Sequence, residues 1–368
     1  MLGGGWTMIL DSGHGRSVIV GGRRLTLFST NNYLGLAGHA SLKRAARDAI
    51  RRYGAGAGAA RGTTGTLRVH RLAERALAGF EGREDAVLFP SGYMAMIAAI
   101  EGLAEDGGVV VCDELDHPSV AAGCRVARIE ALRYRHCDPG DLRTVLRRMP
   151  GRRALVVSSS VFALTGDAAP LREIASVADA ERKRFLVDEA HGTGVLGRTG
   201  RGGVEEHGIE TMVCATMGTL SKALGGVGGF VAGSREVAGR IRARATTFKY
   251  TTAPSPVTCA VAVAAIRLLR EDERLLTRLR KNRQRLSTGL QRIGIQVPQA
   301  HTPIFPLWCD TPRGARSIAA RLFRNGYLVA ALGPPLVGHD RGLVRMTVSA
   351  CHTRGDIDGL VDALEKAL

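Results

Sequence analysis

This sequence has no paired cysteine motif. Its seven cysteines, Cys112, Cys124, Cys137, Cys214, Cys259, Cys309 and Cys351, are scattered and form no Cys-x-x-Cys. That argues against a disulfide scaffold or a zinc site and for reduced thiols in a cytoplasmic protein. There is no basic segment followed by a long apolar run at the N-terminus, so no signal peptide is expected. The longest apolar stretch, near Ala260 to Leu269, is too short and too interrupted to span a membrane. No internal repeat occurs, and no low-complexity tract beyond Gly54-Ala55-Gly56-Ala57-Gly58. Lysine is scarce: arginine greatly outnumbers it among the 51 basic residues.

What is present is a chain of 368 residues, 45% hydrophobic, enough for a sizeable core and for two domains. The net charge is +17 and the sequence pI about 10.4. The arginines are spread, with no basic arm, zinc spacing or basic-aromatic module, which reads as a solvated surface rather than a nucleic-acid interface. A basic surface still attracts anionic partners.

Strand and helix signals alternate. Short apolar runs at Asp85–Phe89, Val109–Asp113, Leu132–His136, Ala154–Ser158 and Phe185–Asp188 are separated by helical patterns. The helices are expected at 41–53, 94–103, 138–149 and 171–182. This alternation predicts an α/β fold: a large domain with a mostly parallel mixed sheet flanked by helices, plus a smaller C-terminal α+β domain. The expected division is an arm at 1–40, the large domain at 41–253 and the small one at 254–368. Residues 1–21 read as irregular, Gly22–Phe28 as a strand and Pro254–Leu290 as one long helix. Strands are expected near 304–307, 328–330 and 343–347, and a final helix at 354–368.

Several positions carry chemistry. Ser91, His117, Asp188 and Lys222 all follow apolar strands, where ligands of parallel sheets bind. Pro90-Ser91-Gly92-Tyr93 turns a strand into a helix start, which is an anion site on physical grounds. Arg345 lies inside an apolar strand, a costly place for a cation unless an anion pairs with it. Gly218-Thr219-Leu220-Ser221-Lys222-Ala223-Leu224-Gly225-Gly226 sets a lysine between hydroxyls and glycines. Leu186-Val187-Asp188-Glu189-Ala190-His191-Gly192 ends an apolar run in a carboxylate and an imidazole. A lysine forms a Schiff base with a carbonyl, and an acid holds a pyridine nitrogen protonated. Together they describe a site for pyridoxal 5'-phosphate.

These two segments, with Asn31-Asn32-Tyr33-Leu34-Gly35-Leu36, resemble the α-oxoamine synthase family of fold-type-I pyridoxal phosphate enzymes, from about Gly22 to the C-terminus. The resemblance implies a homodimer with shared sites that condenses an amino acid with an acyl thioester of coenzyme A or a carrier protein, releasing carbon dioxide. It implies that Lys222 carries the cofactor, Asp188 holds the ring nitrogen, His191 the ring oxygen, and His117 stacks on the ring. Ser91, Gly92, Tyr93 and Thr219 would hold the phosphate, with Thr251 or Thr252 reaching that of the neighbouring subunit. Asn31 and Arg345 would bind the substrate carboxylate, and His70 would be structural. No metal is implied.

The sequence departs from the family at Phe162-Ala163-Leu164-Thr165-Gly166-Asp167, where a serine is usual at Ala163. Ser159 stands where an acid is common. Two alternatives remain open on the residues. One is an aminotransferase, racemase or lyase on the same cofactor; the other is a non-catalytic basic binding protein.

Overall fold

The computed structural model describes residues 8–297, 302–338 and 340–368. It contains thirteen strands, β1–β13, among the described residues. They are β1 Ser17–Val20, β2 Arg23–Leu27, β3 Asp85–Phe89, β4 Val109–Asp113, β5 Glu130–Tyr134, β6 Ala154–Ser159 and β7 Arg184–Asp188. Then come β8 Ala215–Thr219, β9 Gly229–Gly233, β10 Ile304–Cys309, β11 Tyr327–Leu328, β12 Ala330–Leu332 and β13 Gly342–Thr347.

The chain divides into two compact units. The larger comprises residues 39–162 and 168–272. Its seven-stranded sheet has the order β3-β9-β8-β7-β6-β4-β5. Only β9 runs antiparallel to its neighbours. Alternate residues of the central strands feed two cores. Val110, Leu155, Val157 and Leu186 face one cluster, packed with Ala95, Ala99 and Ile241. Val109, Val111, Val156, Phe185 and Val187 face the other, packed with Leu142, Leu146, Leu171 and Ile174. A sheet covered on both faces needs apolar residues on both, so these strands read as unbroken hydrophobic runs rather than alternating ones. At roughly 1.5–3 kcal/mol per fully buried large aliphatic side chain, this double burial is the main force ordering the strand ends.

The smaller unit comprises residues 1–38, 163–167 and 273–368, of which 1–7, 298–301 and 339 lie outside the described residues. It has two three-stranded sheets, β1-β2-β11 and β10-β13-β12. Phe28, Phe305, Val344 and Met346 meet Leu286, Leu290, Leu322, Leu360 and Leu364 of three helices in its core. The N-terminal segment therefore joins the same unit as the C-terminal third, and Pro256–Glu271 belongs to the larger unit. The expected three consecutive segments do not describe this division.

Three local expectations need correction. The irregular reading of 1–21 misses β1, which pairs antiparallel with β2. Gly21 and Gly22, at φ +53° and +78°, form the two-residue turn between them, a hairpin signal that the sequence carries in plain sight. The long helix breaks into Pro256–Glu271 and Arg274–Arg292. Glu271, Asp272 and Glu273 put three carboxylates at a helix C-terminus, where the helix dipole opposes them, and Asp272 leaves the helical region. The strand expected at 328–330 is two strands that join different sheets, with the buried Val329 between them.

Candidate active site

In the larger unit the C-terminal ends of the parallel strands converge on one edge of the sheet. Ser91, just after β3, caps the helix Gly92–Leu103 by accepting a hydrogen bond from Met94 N at 3.2 Å. The first N–H groups of a helix have no partner within it, so they remain available to an anion. Backbone closes in from two further directions. A Cβ on Gly92 would sit 3.1 Å from Thr219 Cβ, and one on Gly229 would sit 2.5 Å from Gly92 Cα. Glycine at these positions leaves a cradle that side chains would fill. Thr219, at the end of β8, donates to Gly228 O at 2.8 Å and lies 2.8 Å from Ser221 Oγ. Lys222 follows in a tight turn closed by Gly226 N to Leu220 O and Gly225 N to Lys222 O.

Asp188 ends β7, is buried, and accepts Ala190 N at 2.8 Å. Burial pushes its carboxyl above the usual range, while Lys222 and His117 pull it back. His117 is pushed below its usual value by burial; Asp188 opposes that shift and Lys222 adds to it. These three groups therefore feel one another's charge at one site. His117 caps the helix Pro118–Ala127, with Nδ1 2.8 Å from Ser119 Oγ, and its ring lies 6.2 Å from that of the exposed Tyr93. His191 is buried on the turn that follows Asp188.

Two buried carboxyls beside this site were given no role by sequence reasoning. Glu189 takes hydrogen bonds from Ser160 Oγ (2.6 Å), Gly203 N (3.0 Å) and Val204 N (2.8 Å). A Cβ on Gly192 or Gly202 would collide with its Oε2. Glu189 thus pins the turn that carries Asp188 and His191, and burial lifts its carboxyl to about 7. Asp116 accepts Ser159 N (2.8 Å) and Ser159 Oγ (2.7 Å), and also Asp113 N (3.1 Å). It is lifted to about 8, chiefly by burial. A carboxyl group from the neighbouring loop therefore packs against Ser159. Their place in the sequence, Asp116 just before His117 and Glu189 just after Asp188, is the one signal available, and it does not reveal that the carboxyls are buried.

His70 is buried, with Nδ1 accepting Leu67 N at 3.0 Å and Nε2 2.7 Å from Pro254 O, a bonding pattern that ties two segments together. Thr252 forms an isolated bridge with Ala60 and is exposed, while Thr251 is half-buried.

In the smaller unit Arg345 lies on β13 between β10 and β12, opposite Pro306 and Ala330. Its side chain is 9% exposed. Nε donates to Ala163 O at 2.7 Å and Nη2 to Asn31 Oδ1 at 3.4 Å. Tyr33 OH also donates to Asn31 Oδ1, at 3.2 Å. Its acceptors are neutral, and no ion pair to Arg345 occurs among the described residues. A buried guanidinium held only by neutral acceptors is a strong attractor for a carboxylate. Position 163 contributes a carbonyl here, which any residue would supply, so the absent serine hydroxyl does not disturb Arg345.

The residues of the larger unit fit pyridoxal 5'-phosphate. A backbone cradle stands ready for a phosphate, a buried acid for a pyridine nitrogen, and a lysine turn for an aldehyde. Residues 23–364 match the aminotransferase class I and II family. The chain is 42% identical over 354 residues to an 8-amino-7-oxononanoate synthase of Anaeromyxobacter dehalogenans, covering 96% of this chain and 89% of that one. Its structure resembles the serine palmitoyltransferase of Sphingomonas wittichii with a TM-score of 0.95 and 31% identity, covering 98% of this chain and 92% of the other. A further SPT structure, solved with PLP, also has a TM-score of 0.95, at 30% identity over 98% of this chain and 92% of its own. The chain belongs to the aminotransferase class I and II family and, within its pyridoxal phosphate enzymes of fold type I, to the α-oxoamine synthases.

Proposed function

We propose that this chain condenses a small amino acid of the glycine, alanine or serine type with an acyl thioester, releasing carbon dioxide and an α-amino ketone. The observation that carries the reading is that Asp188, His117 and Lys222 lie at or just after the C-terminal ends of β7, β4 and β8 of one sheet, with the Gly92–Thr219–Gly229 cradle at the ends of β3 and β8. Pyridoxal phosphate, when bound, supplies an aldehyde for amines and a ring that accepts electrons. Lys222 would hold the cofactor through its aldehyde and, as a free amine, would be the base for the substrate Cα proton. Asp188 keeps a proton on the ring nitrogen, and its burial strengthens that interaction. His191 would donate to the ring oxygen and His117 would stack on the ring. The backbone at Ser91, Gly92 and Tyr93, with Thr219, holds the phosphate. Arg345 and Asn31 bind the amino-acid carboxylate.

Thr251 and Thr252 would serve a second subunit's phosphate in a homodimer, a reading supported by the exposure of Thr252, which bridges to Ala60. The thioester is carried by coenzyme A or a carrier protein, toward which the net charge of +17 is attractive. No helix among the described residues is long and apolar enough to cross a membrane.

The test is an absorbance titration of the pyridoxal-phosphate-loaded protein with glycine, L-alanine and L-serine, with and without an acyl-CoA or acyl-carrier protein. A visible band that one amino acid shifts and the thioester then consumes supports the reading. Lys222→Ala is expected to lose turnover. A band that bleaches to the pyridoxamine form without thioester overturns it in favour of transamination.

A further inference from the structure

A second constellation lies on the larger unit, where β4 and β5 end. Asp113 is the last residue of β4; His136 and Cys137 follow β5 by two and three residues. Their metal- or proton-binding atoms all lie within 4.8 Å of one another. Asp113 is buried, and its carboxylate is fixed by Leu115 N (2.9 Å) on Oδ1 and by Cys137 N (2.8 Å) on Oδ2. The same Oδ1 lies 2.9 Å from His136 Nδ1. An ionised carboxylate only accepts hydrogen bonds, so Nδ1 carries a proton there. With Nδ1 turned to the carboxylate, Nε2 lies 3.6 Å from Cys137 Sγ. The ring is held in place on its other side by Phe162, edge to face at 4.4 Å. Neighbouring side chains in extended backbone point apart. Here Cys137 adopts φ +53°, which folds its thiol back over the preceding ring.

Acid, imidazole and thiol are thus in series, the order that activates a nucleophile: the base takes the proton and the acid fixes the base. Among the described residues no other cysteine stands in such a cluster, and Cys112, Cys124 and Cys259 are buried. Cys137 is half-buried, and the His136 side chain keeps 23% of its surface exposed, so a small molecule can reach them.

We propose that Asp113, His136 and Cys137 form a peroxide-reactive thiol site, separate from the Lys222 chemistry. Cys137 Sγ attacks one peroxide oxygen and the O–O bond breaks. The thiol proton passes by way of His136 Nε2 to the departing oxygen, which leaves as water when the oxidant is hydrogen peroxide. Sulfur is oxidised to S–OH and the peroxide is reduced.

The experiment exposes the cofactor-loaded protein to hydrogen peroxide, traps S–OH with a 1,3-diketone, and reads each cysteine by peptide mass spectrometry. Cys137 is expected to be trapped at least tenfold faster than Cys309 and Cys351, the comparators of similar burial. Equal rates at the three would overturn the proposal without any variant. His136→Gln, checked for an intact visible band and unchanged thermal unfolding, is expected to bring Cys137 down to the comparators' rate. A folded His136→Gln protein that still reacts as fast as the parent overturns the role of the imidazole.

Discussion

The two units solve the cost of buried charge in opposite ways. The larger buries carboxyls, Glu81, Asp116, Asp188 and Glu189, and burial raises all four. An acid of this kind limits the cost by keeping its proton or, as Asp188 does, by facing a cation, here Lys222. The smaller unit buries a guanidinium, Arg345, which has no such escape because it does not deprotonate in proteins. It is held instead by neutral oxygens, the Ala163 carbonyl, the Asn31 amide and the Tyr33 hydroxyl, and in our proposal it takes its countercharge from the amino-acid carboxylate. The comparison teaches that buried carboxyls can answer burial by protonation, while a buried guanidinium must be met by acceptors.

Asp188→Asn breaks the first half of this contrast most severely. It removes the negative charge that opposes Lys222 and His117, and turnover is expected to fall on the order of a thousandfold, with the visible band retained. Near-normal exchange of the substrate Cα proton, followed by NMR in heavy water, would contradict the role given to Asp188. Arg345→Leu breaks the second half. Removing a hydrogen-bonded charge costs about 1.5–3 kcal/mol of amino-acid binding, roughly 10- to 100-fold in the dissociation constant. Thermal stability without substrate should be unchanged or higher, because an uncompensated buried cation is lost. A large fall in the unfolding temperature would mean that Arg345 is a structural group.

Glu81→Gln sharpens the contrast through pH. Glu81 is buried, accepts Thr216 Oγ1 at 3.1 Å, and is lifted to about 8 by burial and by Glu189. A raised folded value means that the folded state holds the proton longer than the unfolded chain. The stability cost is therefore absent below the unfolded value near 4.5 and grows as pH rises toward 8. Glu81→Gln should stabilise more at pH 8.5 than at pH 6, by an amount on the order of a few kcal/mol. Equal stabilisation at both pH values would show that Glu81 is not titrating in that window. Ala163→Ser is the mildest change. Arg345 already uses the backbone carbonyl at 163, so an added hydroxyl should tighten amino-acid binding by no more than about tenfold.

Most of the larger unit was legible because its strands are covered on both faces. Val109–Asp113 and Arg184–Asp188 announce themselves as apolar runs, and their polar endings then stand out. Lys222, Asp188, His191 and the Ser91 turn were legible as motifs for the same reason. Asp116 and Glu189 were not. Each lies next to a residue already given a role, and only the fold shows that its carboxyl is buried against Ser159 or against Gly203 and Val204. The break at Asp272 is decided by three acids at a helix end, against an otherwise continuous helical pattern. The assignment of the N-terminal segment to the C-terminal unit lies further out of reach. It rests on pairings such as Tyr327 with Thr26 that leave no local trace.

That last pairing has a consequence for synthesis. β2 cannot meet β11 until about 300 more residues have left the ribosome, tens of seconds at ordinary elongation rates. Arg16 cannot meet Asp356, nor Phe28 O the amide of Thr347, until later still. All seven strands of the larger sheet have emerged by residue 233. The nascent chain therefore carries an unpaired leading hairpin beside a sheet that already has every strand it needs, and a ribosome that stops before residue 327 releases the hairpin without its partner.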